Sequence, residues 1–444
     1  MTQSASLSHH PATGLDALAG LGPSRQSGRP RGITSVCSAH PLVIEAALAG
    51  GQARGRHGGG EVLIEATCNQ VNQEGGYTGM TPAAFRSFVL GIAGRMGFDP
   101  SRLILGGDHL GPNPWRHLPA EAAMAQAGAM IDAYVRAGFT KIHLDASMAC
   151  QGEAEPLATE LIAERAASLA AIAERAAEAT AVPRPVYVIG TEVPIPGGTM
   201  EELTTLQVTS AGAASETIEA HRRAFAAHGL DAAFERVIGL VVQPGVEFGN
   251  ANVIRYERQK ALGLGAVLRQ TPQLVFEAHS TDYQPQSHLA ELVQDGFAIL
   301  KVGPALTFAL REAFYGLDLI ASSLDGAPVN DGVQAVMERL MQEQPGNWAK
   351  YYHGNDAERR LLRHFSYSDR IRYYWPQPQA VQAIDRLFAR LGDKTIPETL
   401  VSQYLAALYP QVASGAVKPT ARHLLIAAVD HVLAAYAGAC QPLN

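Results

Sequence analysis

Cysteine is scarce: Cys37, Cys68, Cys150 and Cys440 are the only four in 444 residues, and no CxxC spacing occurs. That argues against a disulfide framework or a zinc knuckle and for reduced thiols in a cytoplasmic protein. Charge is sparse as well, at 17% of residues with a net of -7. The chain therefore lacks the basic excess of a nucleic-acid or anionic-membrane partner, leaving room only for a local basic patch around a small anion. No apolar run is long enough to cross a bilayer, and the opening MTQSASLSHHPATG lacks the basic and apolar regions of a signal peptide. Neither GxGxxG in a strand–turn–helix setting nor GxxxxGK[ST] is present, which weakens dinucleotide and P-loop readings.

What is abundant is glycine, 43 residues that gather at the ends of apolar runs without a repeating period. Eight such runs follow a weakly periodic stretch over 1–30, in which His9 and His10 read as part of a tail. They are 33–38, 62–70, 103–109, 141–147, 186–193, 237–245, 274–280 and 298–304. Each is short, largely apolar and closed by polar, Gly or Pro residues, as buried parallel strands are. Helical periodicity fills the gaps at 40–51, 81–96, 119–138, 156–179, 215–228, 252–262 and 286–295, with Thr81 and Ser215 as N-caps. A long segment, 194–214, reads as a lid. Eight strands alternating with helices predict an α/β fold, a (β/α)8 TIM barrel over 31–321. An open doubly wound sheet is the competing arrangement. Beyond it, 331–344, 357–364, 379–391, 396–407 and 421–437 read as helices of a C-terminal subdomain over 322–444. Its SYSDRIRYYW cluster, 366–375, suits a core or interface, and Arg370 and Arg372 suit a surface more than a substrate.

In such a barrel chemistry belongs at the C-terminal strand ends. LILGGDHLGPNP, 103–114, delivers Asp108 and His109 to that rim. Glu65 and Asn69 belong to the second run, His143 and Asp145 share a face of the fourth, and Glu192 closes the fifth. Gln243 and Glu247 follow the sixth, Glu277 and His279 the seventh, and Lys301 lies in the eighth, where pairing with Glu277 is the bland alternative. Any one of them reads equally well as a structural hydrogen-bonder. Polar groups repeated inside apolar runs are costly unless they serve a site. Imidazoles and carboxylates without thiolates suit a divalent cation: Zn, Mn or Co, with Mg compatible.

LGGDHLGPNPW, KIHLDASM, IGTEVPIPGG, VVQPGVEFG, FEAHSTDYQ, LKVGPALTFALREA and SYSDRIRYYW together resemble the D-tagatose-bisphosphate aldolase GatZ/KbaZ-like family, across the whole barrel and into the tail. The resemblance implies a class II aldolase type of barrel with an added C-terminal helical region. It assigns metal ligation to His109, Asp145, Glu247 and His279, and acid/base work to Asp108 and Glu192. Substrate contacts fall to Asn69, His143, Gln243, Ser280 and Lys301. Where an aldolase has a further histidine the chain has Gln243 and Glu247, and where an aldolase has a Gly-rich phosphate loop it has Ser280-Thr281-Asp282.

The activity so implied is a carbohydrate epimerase, an isomerase turning D-tagatose 6-phosphate into D-fructose 6-phosphate by retro-aldol cleavage and re-addition, with no organic cofactor. Two alternatives stand beside it: a non-catalytic stabilising subunit of class II tagatose-1,6-bisphosphate aldolase, and a 4-epimerase of an unphosphorylated ketose or uronate. A phosphorylated ketohexose is the expected small-molecule partner. A homo-oligomer and an aldolase partner subunit are the assemblies left open.

Overall fold

The computed structural model describes residues 14–55, 60–191, 206–326 and 331–442. Among the described residues ten strands are formed: β1 Ile33–Val36, β2 Val62–Thr67, β3 Leu103–Leu110, β4 Lys141–Leu144, β5 Val186–Ile189, β6 Val237–Val241, β7 Glu247–Phe248, β8 Val253–Ile254, β9 Val275–Ala278 and β10 Ile299–Val302. Eight of them close a barrel in the order β1-β2-β3-β4-β5-β6-β9-β10, every pair parallel. These are the eight apolar runs, buried between side chains within and helices outside except at the first residues of β1 and β3 and the last of β2. The open sheet is excluded by the β1–β10 pairing.

Helices Pro41–Gly55, Pro82–Met96, Ala120–Arg136, Thr159–Thr180, Ala211–Ala227, Gln286–Gln294 and Pro304–Asp325 follow successive barrel strands. Thr81 caps its helix by accepting the Ala84 amide N–H at 3.3 Å. Two local expectations need correction. Ser210, not Ser215, caps the fifth of these helices, which therefore begins at Ala211. The helix expected over 252–262 is helical only from Arg258, over Arg258–Ala261; its start is β8, which pairs antiparallel with β7. The turn residues Gly249-Asn250-Ala251-Asn252 reverse the chain there, and Gly249 donates to the Asn252 carbonyl at 3.0 Å.

The N-terminal helices Gly14–Ala19 and Leu21–Gln26 send Leu18 and Leu21 against Leu63, Ile104, Val188, Ile238, Val275 and Ile299, which plugs one end of the barrel with aliphatic side chains. At the other flank the long helix Ala421–Ala439 packs on Pro41–Gly55, Gln286–Gln294 and Pro304–Asp325. Its Tyr436 hydroxyl donates to the Thr281 carbonyl at 2.8 Å, tying the C-terminal region to the loop after β9. Among the described residues no helix is long and apolar enough to cross a membrane. His9, His10 and most of the expected lid lie outside the described residues.

Candidate metal centre

The inside of the barrel turns from aliphatic to ionic toward the C-terminal strand ends. Lys141, at the start of β4, is fully buried between Glu65 of β2 at 2.5 Å and Glu277 of β9 at 2.7 Å. Gly106 of β3 stands in register with both Glu65 and Lys141, and a side chain there would strike the Glu65 carboxylate, so this glycine makes room for it. Lys301 of β10 pairs with Glu65, with Asp108 at 2.8 Å and with Glu277 at 3.6 Å. The pairing with Glu277 is thus real, but it is the longest of three.

Asp108 and His109 both face this layer although they are adjacent on a strand, where successive side chains should diverge. The register shows how. Gly107 pairs with Ile142 and Leu110 with Leu144, so β3 carries one residue more than β4 over this stretch. The extra residue is a β-bulge, with His109 in the left-handed region at φ 50°. That conformation costs on the order of 1–2 kcal/mol for a non-glycine residue.

Above the lysines three imidazoles converge, with ring centres of His109, His143 and His279 4.8, 5.1 and 5.3 Å apart. Each has a carboxylate behind it. His109 Nδ1 meets Asp145 at 2.8 Å, His143 Nδ1 meets Asp108 at 2.9 Å, and His279 Nε2 meets Glu277 at 2.9 Å. Asp145 is itself fixed by the Ser147 hydroxyl at 2.6 Å. Histidines backed by carboxylates in this way are oriented as metal ligands are. His143 Nδ1 is shared between Asp108 and the His109 amide N–H at 3.2 Å, while its Nε2 is buried with no hydrogen-bond partner.

Asp108, His143, Glu277 and His279 bring one ligand atom each within 4.8 Å of one another, a buried cluster able to hold a divalent cation. The charge agrees. Four carboxylates (Glu65, Asp108, Asp145, Glu277) face two ammonium groups (Lys141, Lys301), an excess of two negative charges with neutral imidazoles and of one with His109 protonated. Burial pushes His279 down to about 3, which keeps it neutral. Burial would also lower His109, but Asp108 and Asp145 reverse the effect and hold it above its usual range. Burial opposes ionisation of Asp108 and Glu277, yet neighbouring cations outweigh it and keep both well below the carboxylate range. Cys37 lies against Glu65 and Asp108 too, but burial drives its thiol upward, so it stays protonated.

Asn69, Asp108, His109, His279, Ser280 and Lys301 line one cleft at the barrel mouth. His143 and Asp145 lie immediately beneath, hydrogen-bonded to Asp108 and His109. Gln243 accepts the Gly245 and Val246 amide N–H groups at 2.8 and 3.0 Å, shaping its own loop. Glu247 sits outside the cluster, beside Ser280, where burial raises it to about 7. Glu192 lies outside the described residues. Two participants went unrecognised from sequence: Lys141, whose parity with His143 and Asp145 already put it on their face, and Tyr373, which reaches the cleft from the C-terminal region. The surface preferred for Arg370 and Arg372 is corrected: Arg372 lines the cleft and Arg370 is buried, because the C-terminal region packs over the mouth.

An eight-stranded parallel barrel with this cluster at its C-terminal mouth is a (β/α)8 barrel of the class II aldolase type. The family model for D-tagatose-1,6-bisphosphate aldolase subunit GatZ/KbaZ-like proteins matches residues 18–441, and the chain belongs to that family. It is 56% identical over 419 residues to a D-tagatose 6-phosphate 4-epimerase of Agrobacterium fabrum (strain C58 / ATCC 33970), covering 94% of this chain and 97% of that one. A crystal structure of a probable tagatose 6 phosphate kinase from Sinorhizobium meliloti 1021 superimposes with a TM-score of 0.85 at 57% identity, covering 92% of this chain and 100% of the other.

Proposed function

We infer that this chain is a carbohydrate epimerase that inverts C4 of a phosphorylated ketohexose, interconverting D-tagatose 6-phosphate and D-fructose 6-phosphate. The observation that carries the reading is the buried Asp108–His143–Glu277–His279 cluster at the mouth of a barrel 56% identical to such an epimerase. A divalent cation held there, Zn, Mn or Co and with Mg compatible, would supply Lewis acidity toward the substrate's C2 carbonyl. His109, His143, Glu277 and His279 are proposed to hold it, with Asp145 behind His109, while Glu247 stays outside the cluster beside Ser280.

Inversion at C4 does not follow from direct proton abstraction, because that carbon is not adjacent to the carbonyl. A retro-aldol route reaches it. Asp108 or Glu192 accepts the C4 hydroxyl proton, and the C3–C4 bond breaks as C4 becomes an aldehyde. The bond's electron pair passes into the three-carbon enediolate spanning C1–C3. The aldehyde fragment, which carries the phosphate, turns its other face to the enediolate. C3 then attacks, and the same carboxylate returns the proton to the new C4 oxygen. Lys301, beside Asp108, holds that carboxylate ionised and so able to accept. Asn69, Gln243, Ser280 and His143 are proposed to orient the sugar hydroxyls and shape the cleft.

The test is the purified chain alone with D-tagatose 6-phosphate and Zn, Mn, Co or Mg, following D-fructose 6-phosphate. Metal-dependent conversion is expected. No conversion with any of the four, together with stabilisation of a separate class II aldolase, would replace this reading with the subunit role that the family's description carries.

A further inference from the structure

A phosphorylated substrate brings about two negative charges into the cleft, and the barrel's own cations are already engaged. Lys301 is held by Glu65, Asp108 and Glu277, and Lys141 lies fully buried between Glu65 and Glu277. The other usual seat in such barrels is the N-terminus of the helix after the last strand. Here it is taken as well. The Asp282 carboxylate accepts the Gly303 amide N–H at 3.0 Å and the Ala305 amide N–H at 2.8 Å, at the start of Pro304–Asp325.

One cation on the cleft wall differs. Arg372 belongs to the short turn Arg370–Tyr374 of the C-terminal region, and among the described residues no carboxylate stands within ion-pair distance of it. Its Nη2 donates to the Tyr373 hydroxyl at 3.2 Å, while Nη1 is buried with no hydrogen-bond partner. A buried, unpaired guanidinium donor is expensive unless something binds there. The surroundings hold it in place. Tyr373 packs edge-on against Tyr77 of the loop after β2, with ring centres 4.7 Å apart, and Arg370 lies 3.4 Å from the Tyr351 ring and 4.9 Å from the Tyr373 ring.

The geometry points to Arg372 as the residue that binds the substrate's phosphate, with Tyr373 and Tyr77 as the wall behind it. This rests on the reading that the substrate is phosphorylated, and it gives the C-terminal helical region a share of the site. A guanidinium offers a planar pair of donors matched to two phosphate oxygens, which an ammonium does not.

Inorganic phosphate is the probe, titrated calorimetrically into the full chain, because its binding does not depend on which sugar the enzyme turns over. Arg372→Met should weaken phosphate by about 10- to 100-fold, the loss expected for charged hydrogen bonds, and raise KM for D-tagatose 6-phosphate by a similar factor with a smaller change in kcat. Arg372→Lys, which keeps the charge without the fork, should recover part of the affinity. Wild-type phosphate affinity in Arg372→Met would overturn the proposal; should that variant not fold, wild-type affinity in Arg372→Lys would do so. If Arg372→Met loses phosphate while neither protein epimerises D-tagatose 6-phosphate, the phosphate site stands and the assigned reaction falls. If the wild type epimerises and the variant's KM is unchanged, the reverse holds.

Discussion

At the plugged end of the barrel Leu18 and Leu21 meet Leu63, Ile104, Val188 and Val275; toward the mouth the same cylinder holds Lys141, Lys301, Glu65, Glu277 and Asp108 in contact. The two ends are filled in opposite ways. The aliphatic end stabilises by removing apolar surface from water, about 1.5–3 kcal/mol for each fully buried large side chain. The ionic end gains little net stability, since desolvating charges offsets much of their attraction. Its retention is understandable only through what it positions: three converging imidazoles, two of which share a cluster with Asp108 and Glu277.

The sharpest way to break this contrast is Lys141→Met. Removing one partner leaves Glu65 and Glu277 buried with too little compensation, and urea unfolding should register a loss of about 3–5 kcal/mol. A loss below 1 kcal/mol would mean that the two carboxylates take up protons freely and the layer is not a charge-balanced unit. Leu18→Ala at the other end should cost about 2–4 kcal/mol through the cavity it leaves. Its metal affinity should nevertheless equal the wild type's. A coupled loss of metal would show that the two ends are not independent.

A smaller effect separates the mouth from the layer beneath. Burial raises Glu247 from its ordinary 4.5 to about 7. The folded state therefore binds a proton that the unfolded state releases. The stabilisation is complete below pH 4.5 and is lost as pH rises through 7. Glu247→Gln removes this dependence, so the variant should gain about 1–3 kcal/mol on wild type between pH 5 and 8, measured by chemical unfolding at each pH. A constant difference across that range would show that Glu247 does not titrate there.

The strand pattern and the rim were readable because buried parallel strands write themselves as apolar runs with polar ends. Asp108, His109 and His279 were visible for that reason. The bulge was not: nothing in GGDHLG says that β3 takes one extra residue, and without it one of Asp108 and His109 would point away. Lys141 was legible in principle from its spacing to His143, but a lysine opening an apolar run reads as an exposed strand start. The strand β8 was misread as the start of a helix because two residues are too short to show alternation. Arg372 lies 71 residues beyond Lys301 in a region with no strands. Only the packing of that region over the mouth brings it to the cleft.

The central claim is that the histidines and carboxylates form one metal centre. Its most direct test is calorimetric titration of the chelator-stripped chain with Mn and Zn, in wild type and in His143→Ala. One ion should bind per chain, and affinity in the variant should fall by more than the roughly 10- to 100-fold that loss of an outer-shell partner alone brings. No ion bound by the wild type, or equal affinity in the two proteins, would contradict it.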